Sequence, residues 1–342
     1  MSDTVRSLIQ AITSGNSYEK AQIKQAFHDI MSGEVSPALI SGFLLALKMR
    51  GETPEDITAG ASTLREMADK ISAPAGAIDI VGTGGDGLGT YNISTASAFV
   101  VAGCGVTVAK HGNRAVSSKS GAADVLTSLG LNLDAPFEVL ERALSDAGVC
   151  FLMAPRHHSA MRHVGPIRAE LGIRTIFNLL GPLSNPALVS RIMVGVYDKQ
   201  WCRPFAQALS ALGTTDAWVV HGMDGLDEVT TTTTTHVAQL RDGEITEFEI
   251  HPSDYGIKTA SLDELKGGDG EVNAKALRAI LSGESGAFAA YRDAVCMNSA
   301  AALVATGHCV QFDEALAKAK EAISNGKALA ALDRLVALTN EA

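Results

Sequence analysis

AIDIVGTGGDGLGTYNISTASAFVVAGCGVTVAKHGNRAVSSKSG, residues 77–121, reads in one pass as strand, glycine loop, helix, strand and basic loop. The β-rich runs are 77–81 and 106–110, and the apolar helix between them opens near Asn92. The same grammar recurs downstream, with β-rich runs at 149–153, 192–196 and 217–220 separated by helical stretches. Such alternation predicts a mostly parallel sheet covered by helices. A run at 237–240, a turn at Arg241-Asp242-Gly243 and a run at 245–250 predict one hairpin, and from Leu262 onward the chain reads as mainly helical, closing on a helix over 328–338.

Upstream of Ala77 the pattern is helical only. Ile23, Ala26, Phe27, Ile30 and Met31 fall at helical spacing, as do Ile40, Phe43, Leu44 and Leu47 before Gly51. Thr53 is placed to cap a further helix with Pro54 at its first position, where the missing N–H costs nothing; Ile57, Ala61, Leu64 and Ala68 form its apolar face. Residues 72–76 are the expected hinge. The expected organisation is therefore a small helical domain over 1–73 and a larger α/β domain over 74–342.

The chain has 342 residues and a formal net charge of −10, which argues against a nucleic-acid-binding surface. Its 33 glycines exceed the usual ~7% share and imply many backbone turns. Five cysteines, Cys104, Cys150, Cys202, Cys296 and Cys309, are widely spaced with no C-x-x-C pair, so neither a disulfide framework nor a zinc site is suggested. The N-terminal MSDTVRSLIQ lacks a secretory pattern, and the nearly apolar run 98–109 is short of the ~18 residues of a membrane span. A cytoplasmic protein with no membrane partner is expected.

Gly82-Thr83-Gly84-Gly85-Asp86-Gly87 satisfies G-x-G-x-x-G, but Leu88-Gly89-Thr90-Tyr91 intervenes before a helix starts and the next strand ends in Lys110-His111 rather than an acidic residue, so a dinucleotide site is disfavoured. No glycine stands at P-loop distance before Lys119-Ser120. Asn92-Ile93-Ser94-Thr95, read alone, is either an ordinary capped turn or an anion site at a helix N-terminus. The segment 110–121 tips the balance, because Lys110, Arg114 and Lys119 with three serines gather at the carboxyl end of a strand, where α/β proteins bind ligands and polyphosphates find donors. Past the run at 217–220, His221-Gly222-Met223-Asp224-Gly225-Leu226-Asp227-Glu228 sets an acidic pair in a turn-rich loop. Such a pair is commonly a solvated face; beside a phosphate site it is also what Mg²⁺ prefers, one or two carboxylates completed by water and phosphate oxygens. The threonine run 230–235 favours extended backbone through its β-branched side chains.

The strings GTGGDG (82–87), NISTASAF (92–99), KHGNRAVSSKSG (110–121), MRHVGPIRAELGIRTIFNLLGPLSNP (161–186) and HGMDGLDE (221–228) closely resemble the anthranilate phosphoribosyltransferase family, and the resemblance spans nearly the whole chain. It implies a nucleoside phosphorylase/phosphoribosyltransferase-like α/β fold and transfer of the phosphoribosyl group of 5-phosphoribosyl 1-diphosphate (PRPP) to anthranilate in tryptophan biosynthesis. It implies PRPP contacts at Gly82, Gly85, Asp86, Thr90, Asn92, Ile93, Ser94, Thr95, Lys110, His111, Gly112, Asn113, Arg114, Ala115, Val116, Ser117, Ser118 and Ala122. Two Mg²⁺ ions would sit on Ser94, Asp227 and Glu228. Anthranilate would meet Gly82, Asn113 and Arg168, entering past His111, Pro155, His158, Gly181 and Pro182, with the 155–185 segment lining its site. Lys110, His111 and Arg168 are the implied catalytic groups, His111 being a proton acceptor or a wall, and the wall is favoured. Arg168 suits anthranilate because a guanidinium holds a carboxylate bidentately, although a lone arginine is by default a surface ion-pair partner. A homodimer through the N-terminal helices is implied by the resemblance alone.

Three departures stand out: Ala122 where a serine is common, the threonine run where a more varied strand is usual, and Arg156 and Ser159 beside His157-His158. A pyrimidine nucleoside phosphorylase would share the glycine loop, but needs no paired magnesium carboxylates. A non-catalytic nucleic-acid-binding paralogue would show a basic surface and a broken acidic pair. DGLDE (224–228) and KHGNRAVSSKSG (110–121) speak against the first, and the charge of −10 and the intact Asp227-Glu228 against the second.

Overall fold

The computed structural model describes residues 2–115, 119–284 and 286–341. Four helices come first: α1 (Ser2–Thr13), α2 (Lys20–Met31), α3 (Pro37–Arg50) and α4 (Pro54–Met67). Their ends follow the sequence signals. Pro37 stands in the first turn of α3, Gly51 ends it at φ 92°, and Thr53 Oγ1 caps α4 by accepting from Asp56 N at 3.3 Å while Asp56 reaches back to Thr53 N at 2.9 Å. Ile57, Ala61 and Leu64 are buried as expected, whereas Ala68 lies beyond the last turn and is half-buried.

Strands β1 (Ile78–Gly82), β2 (Val108–Gly112), β3 (Val149–Met153), β4 (Arg191–Gly195), β5 (Asp216–Gly222), β6 (Thr235–Arg241) and β7 (Glu244–Ile250) form a seven-stranded sheet in the order β3-β2-β1-β4-β5-β6-β7. Pairing is parallel from β3 through β5 and antiparallel in the β5-β6-β7 meander. The chain steps outward from β1 to β2 and β3, then returns to the other side of β1 as β4. The crevice over β1 and β4 is therefore a topological switch point, the place where open α/β sheets bind ligands.

The two faces of the sheet have separate cores. Ile78, Ile80, Val108, Trp218 and Val220 pack with α5 (Ile93–Gly103), α6 (Ala122–Ser128) and α7 (Phe137–Asp146) on one side. Ile192, Val194, Ala217 and Val219 pack on the other with the N-terminal helices. Between β3 and β4 lie three short helices, α8 (Ala154–His157), α9 (Gly165–Leu171) and α10 (Phe177–Leu180). Val164, Ile167, Phe177 and Leu180 of this segment belong to the second core. Phe177 meets Phe27 edge-on at 6.1 Å, and Gly60 leaves room for Leu180, whose Cδ1 would stand 2.6 Å from a β-carbon there. The helical body is thus made of two stretches far apart in sequence, an organisation that the plain division at residue 73 does not contain.

α11 (Cys202–Ala211) completes the second face, and α12 (Gly270–Leu281), α13 (Ala289–Ala305), α14 (Phe312–Ser324) and α15 (Lys327–Asn340) complete the first. The threonine run departs from the extended expectation. Only Thr235 enters a strand; residues 230–234 form a bent loop because their hydroxyls have nearer partners. Thr230 Oγ1 donates to Asp224 Oδ2 at 2.6 Å, Thr232 Oγ1 donates to the same oxygen, and Thr230 N donates to Thr235 Oγ1 at 2.9 Å. Side-chain bonds of this kind compete with a strand ladder and here prevail over β-propensity. Among the described residues no helix is long and apolar enough to cross a membrane.

Candidate active site

Gly82 and Gly195 are register partners at the carboxyl ends of β1 and β4. With no Cβ on either, a notch opens over the switch point and Asp227 fills it. A Cβ on Gly195 would overlap the Asp227 carbonyl oxygen, and one on Gly82 would meet the Asp227 carboxylate. Gly84 and Gly85 follow at φ 66° and 74°, a left-handed turn in which Gly84 N donates to Asp227 Oδ2 at 2.6 Å. Glu228 lies against the next element, its Oε1 accepting from Ser94 N at 3.1 Å in the first turn of α5. An acid at a helix N-terminus satisfies a free N–H and meets the positive end of the helix dipole.

Lys110 supplies the cation. Strand alternation puts Lys110 on the face of Ile80 and α5, and His111 on the opposite face. The buried Lys110 Nζ donates to Ile80 O at 2.6 Å and to Ser94 Oγ at 3.4 Å. Burial pushes its pKa down, while Asp79, Glu228 and Asp227 hold it up. Asp227 and Glu228 are both pushed above the ordinary carboxylate range, first by burial and then by neighbouring carboxylates, Asp86 for Asp227 and Asp227 for Glu228. Two adjacent acids burdened in this way, with a serine hydroxyl at hand, fit a divalent cation that would neutralise them. No group of three or more His, Cys, Asp or Glu able to hold a metal occurs among the described residues, so the donor set suits Mg²⁺ completed by substrate oxygens rather than a closed protein cage. A pH consequence follows. A metal held by these acids would need them ionised, so Mg²⁺ binding is expected to release protons in neutral, weakly buffered solution and to tighten as pH rises; uptake of protons would contradict it.

His111 faces the helical body, its ring edge-on to His158 at 5.3 Å. Among the described residues His111 Nε2 and both ring nitrogens of His158 are buried with no well-formed hydrogen bond, and the backbone at Gly181 and Ser184 lies close to the two rings. Burial, then the neighbouring imidazoles, pushes His111 well below its usual pKa; burial and His157 push His158 down to about 4. Both rings are neutral at pH 7. Pro155 lies in α8, while Gly181 and Pro182 follow α10 in a short 3-10 turn. Arg168 on α9 is half-buried and desolvated, which lowers its pKa, and its guanidinium lies 5.6 Å from the Phe177 ring centroid. Among the described residues no carboxylate pairs with it, contrary to the ordinary fate of a surface arginine.

Other predicted residues are less direct. Thr90 is bridged to Lys266, and Ile93 and Thr95 are buried in the first turn of α5. Asn92 stands at the N-cap as expected but does not cap: its Oδ1 accepts from Asn273 Nδ2 at 2.8 Å and its Nδ2 donates to Ser120 O at 3.4 Å. Gly112 ends β2 and Asn113 accepts from Arg114 N at 2.8 Å. Arg114 pairs at 3.3 Å with Asp124, which also accepts from Ala115 N and Gly121 N, so this carboxylate ties Ala115 to Gly121. Ala122 opens α6, its Cβ on the side of Gly112. Val116, Ser117 and Ser118 lie outside the described residues.

Sequence reasoning missed four supports. Buried Asp79 accepts from His111 N at 3.0 Å and Asn185 Nδ2 at 2.7 Å, and burial raises it to about 6. Arg174 donates to Gly85 O and lies 4.2 Å from the Tyr197 ring centroid, tying the glycine loop to the segment after α9. Tyr291 and Asn298 on α13 grip backbone beside the site. A charged or polar residue inside an apolar run, as in Ile78-Asp79-Ile80 or Met297-Asn298, was the available signal.

A helical bundle joined to a parallel α/β sheet with a glycine loop at its switch point is a known combination. Residues 6–68 match the model described as "Glycosyl transferase family, helical bundle domain" and residues 75–329 the one described as "Glycosyl transferase family, a/b domain", which defines the class. The chain is 53% identical over 338 residues to anthranilate phosphoribosyltransferase of Agrobacterium fabrum, covering 99% of this chain and 98% of that one. It is 52% identical over 342 residues to that of Rhizobium meliloti, covering 100% of both. Among solved structures, anthranilate phosphoribosyltransferase of Thermus thermophilus superposes with a TM-score of 0.91 at 42% identity, covering 97% of this chain and 99% of that one. That of Saccharomyces cerevisiae in complex with PRPP and Mg does so with 0.91 at 29% identity, covering 100% and 99%. The chain belongs to the anthranilate phosphoribosyltransferase family.

Proposed function

We infer that this chain transfers the phosphoribosyl group of PRPP to anthranilate, releasing diphosphate, as a step of tryptophan biosynthesis. The observation that carries this reading is the acidic pair Asp227-Glu228 seated over the Gly82–Gly195 notch and against the first turn of α5, with Lys110 beside it. Ser94, Asp227 and Glu228 would hold Mg²⁺, two ions per site, which when bound supply positive charge to the diphosphate. Gly82, Gly85, Asp86, Thr90, Asn92 to Thr95 and the loop from Lys110 present the backbone and side-chain donors that would orient PRPP.

In the reaction the bond from the anomeric carbon to the diphosphate oxygen breaks as the anthranilate nitrogen bonds to that carbon. The amine is already neutral at pH 7 and needs no strong base, and the acidic anilinium proton left once the bond has formed passes to water. His111, kept neutral by burial, is a weak proton acceptor and serves as a wall of the anthranilate path together with His158, Pro155, Gly181 and Pro182. Catalysis rests on holding two substrates in line and on Lys110 and backbone donors meeting charge on the leaving group. Arg168, desolvated and without a carboxylate of its own, would take the carboxylate of anthranilate, with Asn113 and Gly82 nearby in role.

The test follows anthranilate fluorescence with PRPP and Mg²⁺, then with EDTA. Turnover that stops on chelation supports the reading, and no turnover with metal present ends it. Arg168→Ala is expected to raise the KM for anthranilate by about tenfold to a hundredfold, the cost of a lost charge-assisted pair, with little change for PRPP. Equal effects on both constants would remove Arg168 from the anthranilate site. We also infer a homodimer through the N-terminal helices, supported by Leu45 and Met49, one turn apart on α3 and 36% and 88% exposed. Met49→Glu should shift sedimentation toward the monomer; an unchanged dimer would place the interface elsewhere.

A further inference from the structure

α13 is an apolar helix of the first core that carries two polar grips on the site. Tyr291, fully buried, donates from its hydroxyl to Asn92 O at 3.2 Å, at the residue that opens α5. Asn298, also fully buried and two turns along, lays its amide across a single residue. Its Oδ1 accepts from Val229 N at 2.9 Å, and its Nδ2 donates to Val229 O at 2.7 Å and to Ala294 O at 2.8 Å. Val229 directly follows Glu228.

A side chain that binds both the N–H and the C=O of one residue fixes the position of that residue and its rotation about the chain, as a strand partner would. Among the described residues no strand does this for Val229, which lies in the loop between β5 and β6. The acidic pair is therefore gripped on both sides along the chain. Before it, Asp224 gathers Thr230, Thr232 and Leu226 N and folds the loop back on itself. After it, Asn298 fixes the exit from α13, a helix of the first core. An amide buried in an apolar helix is costly without partners, and here the oxygen and both N–H groups are used.

We propose that Asn298 is a positioning residue for the metal-binding acids: its clasp on Val229 sets the reach of Asp227 and Glu228 toward Gly84 and the first turn of α5, and so governs affinity for the divalent cation. This rests on the reading of Asp227 and Glu228 as metal ligands. The role is distinct from general packing. Tyr291 and Asn298 share one rigid helix, so the N-terminus of α5 and the acidic pair are referred to the same frame, and loosening one grip changes the gap between them that the ion must span.

The experiment titrates the full-length enzyme with Mn²⁺ in the presence of PRPP, reading free Mn²⁺ by electron paramagnetic resonance. Asn298→Ala and Asn298→Ser are expected to weaken Mn²⁺ about tenfold, to raise the Mg²⁺ needed for half-maximal rate in parallel, and to recover kcat at high Mg²⁺ with an unchanged anthranilate KM. A lowered melting temperature with Mn²⁺ affinity within about twofold of the parent would overturn the proposal and leave Asn298 a packing residue. If Asp227→Asn/Glu228→Gln binds Mn²⁺ as the parent does, the ligand reading fails instead. Wild-type hydrogen exchange covers the case in which the Asn298 variants do not fold. The Val229 amide should be as protected without metal as with Mg²⁺ and PRPP, whereas protection gained only on loading would show that the clasp is not preset and overturn the proposal.

Discussion

The Asp227→Asn/Glu228→Gln double variant is expected to lose about a thousandfold or more in kcat/KM at saturating Mg²⁺ while keeping its fold. Metal stabilisation of a departing phosphate is worth several kcal/mol, and each ~1.4 kcal/mol is tenfold in rate. The amides keep the shapes of the acids and the acceptor oxygens that Gly84 N and Ser94 N use. They also remove charges that burial disfavours, so the melting temperature without metal should stay level or rise. Anthranilate fluorescence and a thermal scan check both parts. Full activity in the double variant would remove the acids from the mechanism, and lost activity with a collapsed melting temperature would point to misfolding.

Gly195→Ala is expected to cut turnover by about a hundredfold or more through a single methyl group at the base of the notch. The added carbon overlaps the backbone carbonyl of Asp227, which no rotamer change relieves, so the loop must lift from the notch. Overpacking of this kind usually costs ~1–3 kcal/mol in stability as well. Gly286→Ala is the control, because nothing lies within 4 Å of a β-carbon there and it stands outside the site. If Gly195→Ala turns over like that control, the notch does not seat the acidic pair.

Much of this was legible in the residues. The β-rich runs lie within or beside the observed strands because burial on both faces of a parallel sheet leaves short apolar runs, and the caps at Thr53 and Gly51 are local chemistry. What failed to show depends on distant partners. The threonine run looks extended until Asp224 is placed beside it. Asn92 looks like a cap until Asn273 and Ser120 claim its amide. The charge of Lys110 was visible, but not that Asp79, from the neighbouring strand, steadies it. Arg114 counted as a phosphate cation, yet its guanidinium is paired with Asp124. Motif reading locates groups that meet a substrate; groups that hold those groups in place are scattered through helices whose sequence reads as plain core, as Asn298 does in α13.

The divided helical body bears on how the chain is made. When α4 leaves the ribosome, Phe27 and Gly60 still lack Phe177 and Leu180, which come more than a hundred residues later. At ~5–20 residues per second the first helices wait on the order of ten seconds with an apolar face uncovered. The apolar face of the N-terminal segment is thus completed, and the site's two walls close, only after the middle of the chain has been translated.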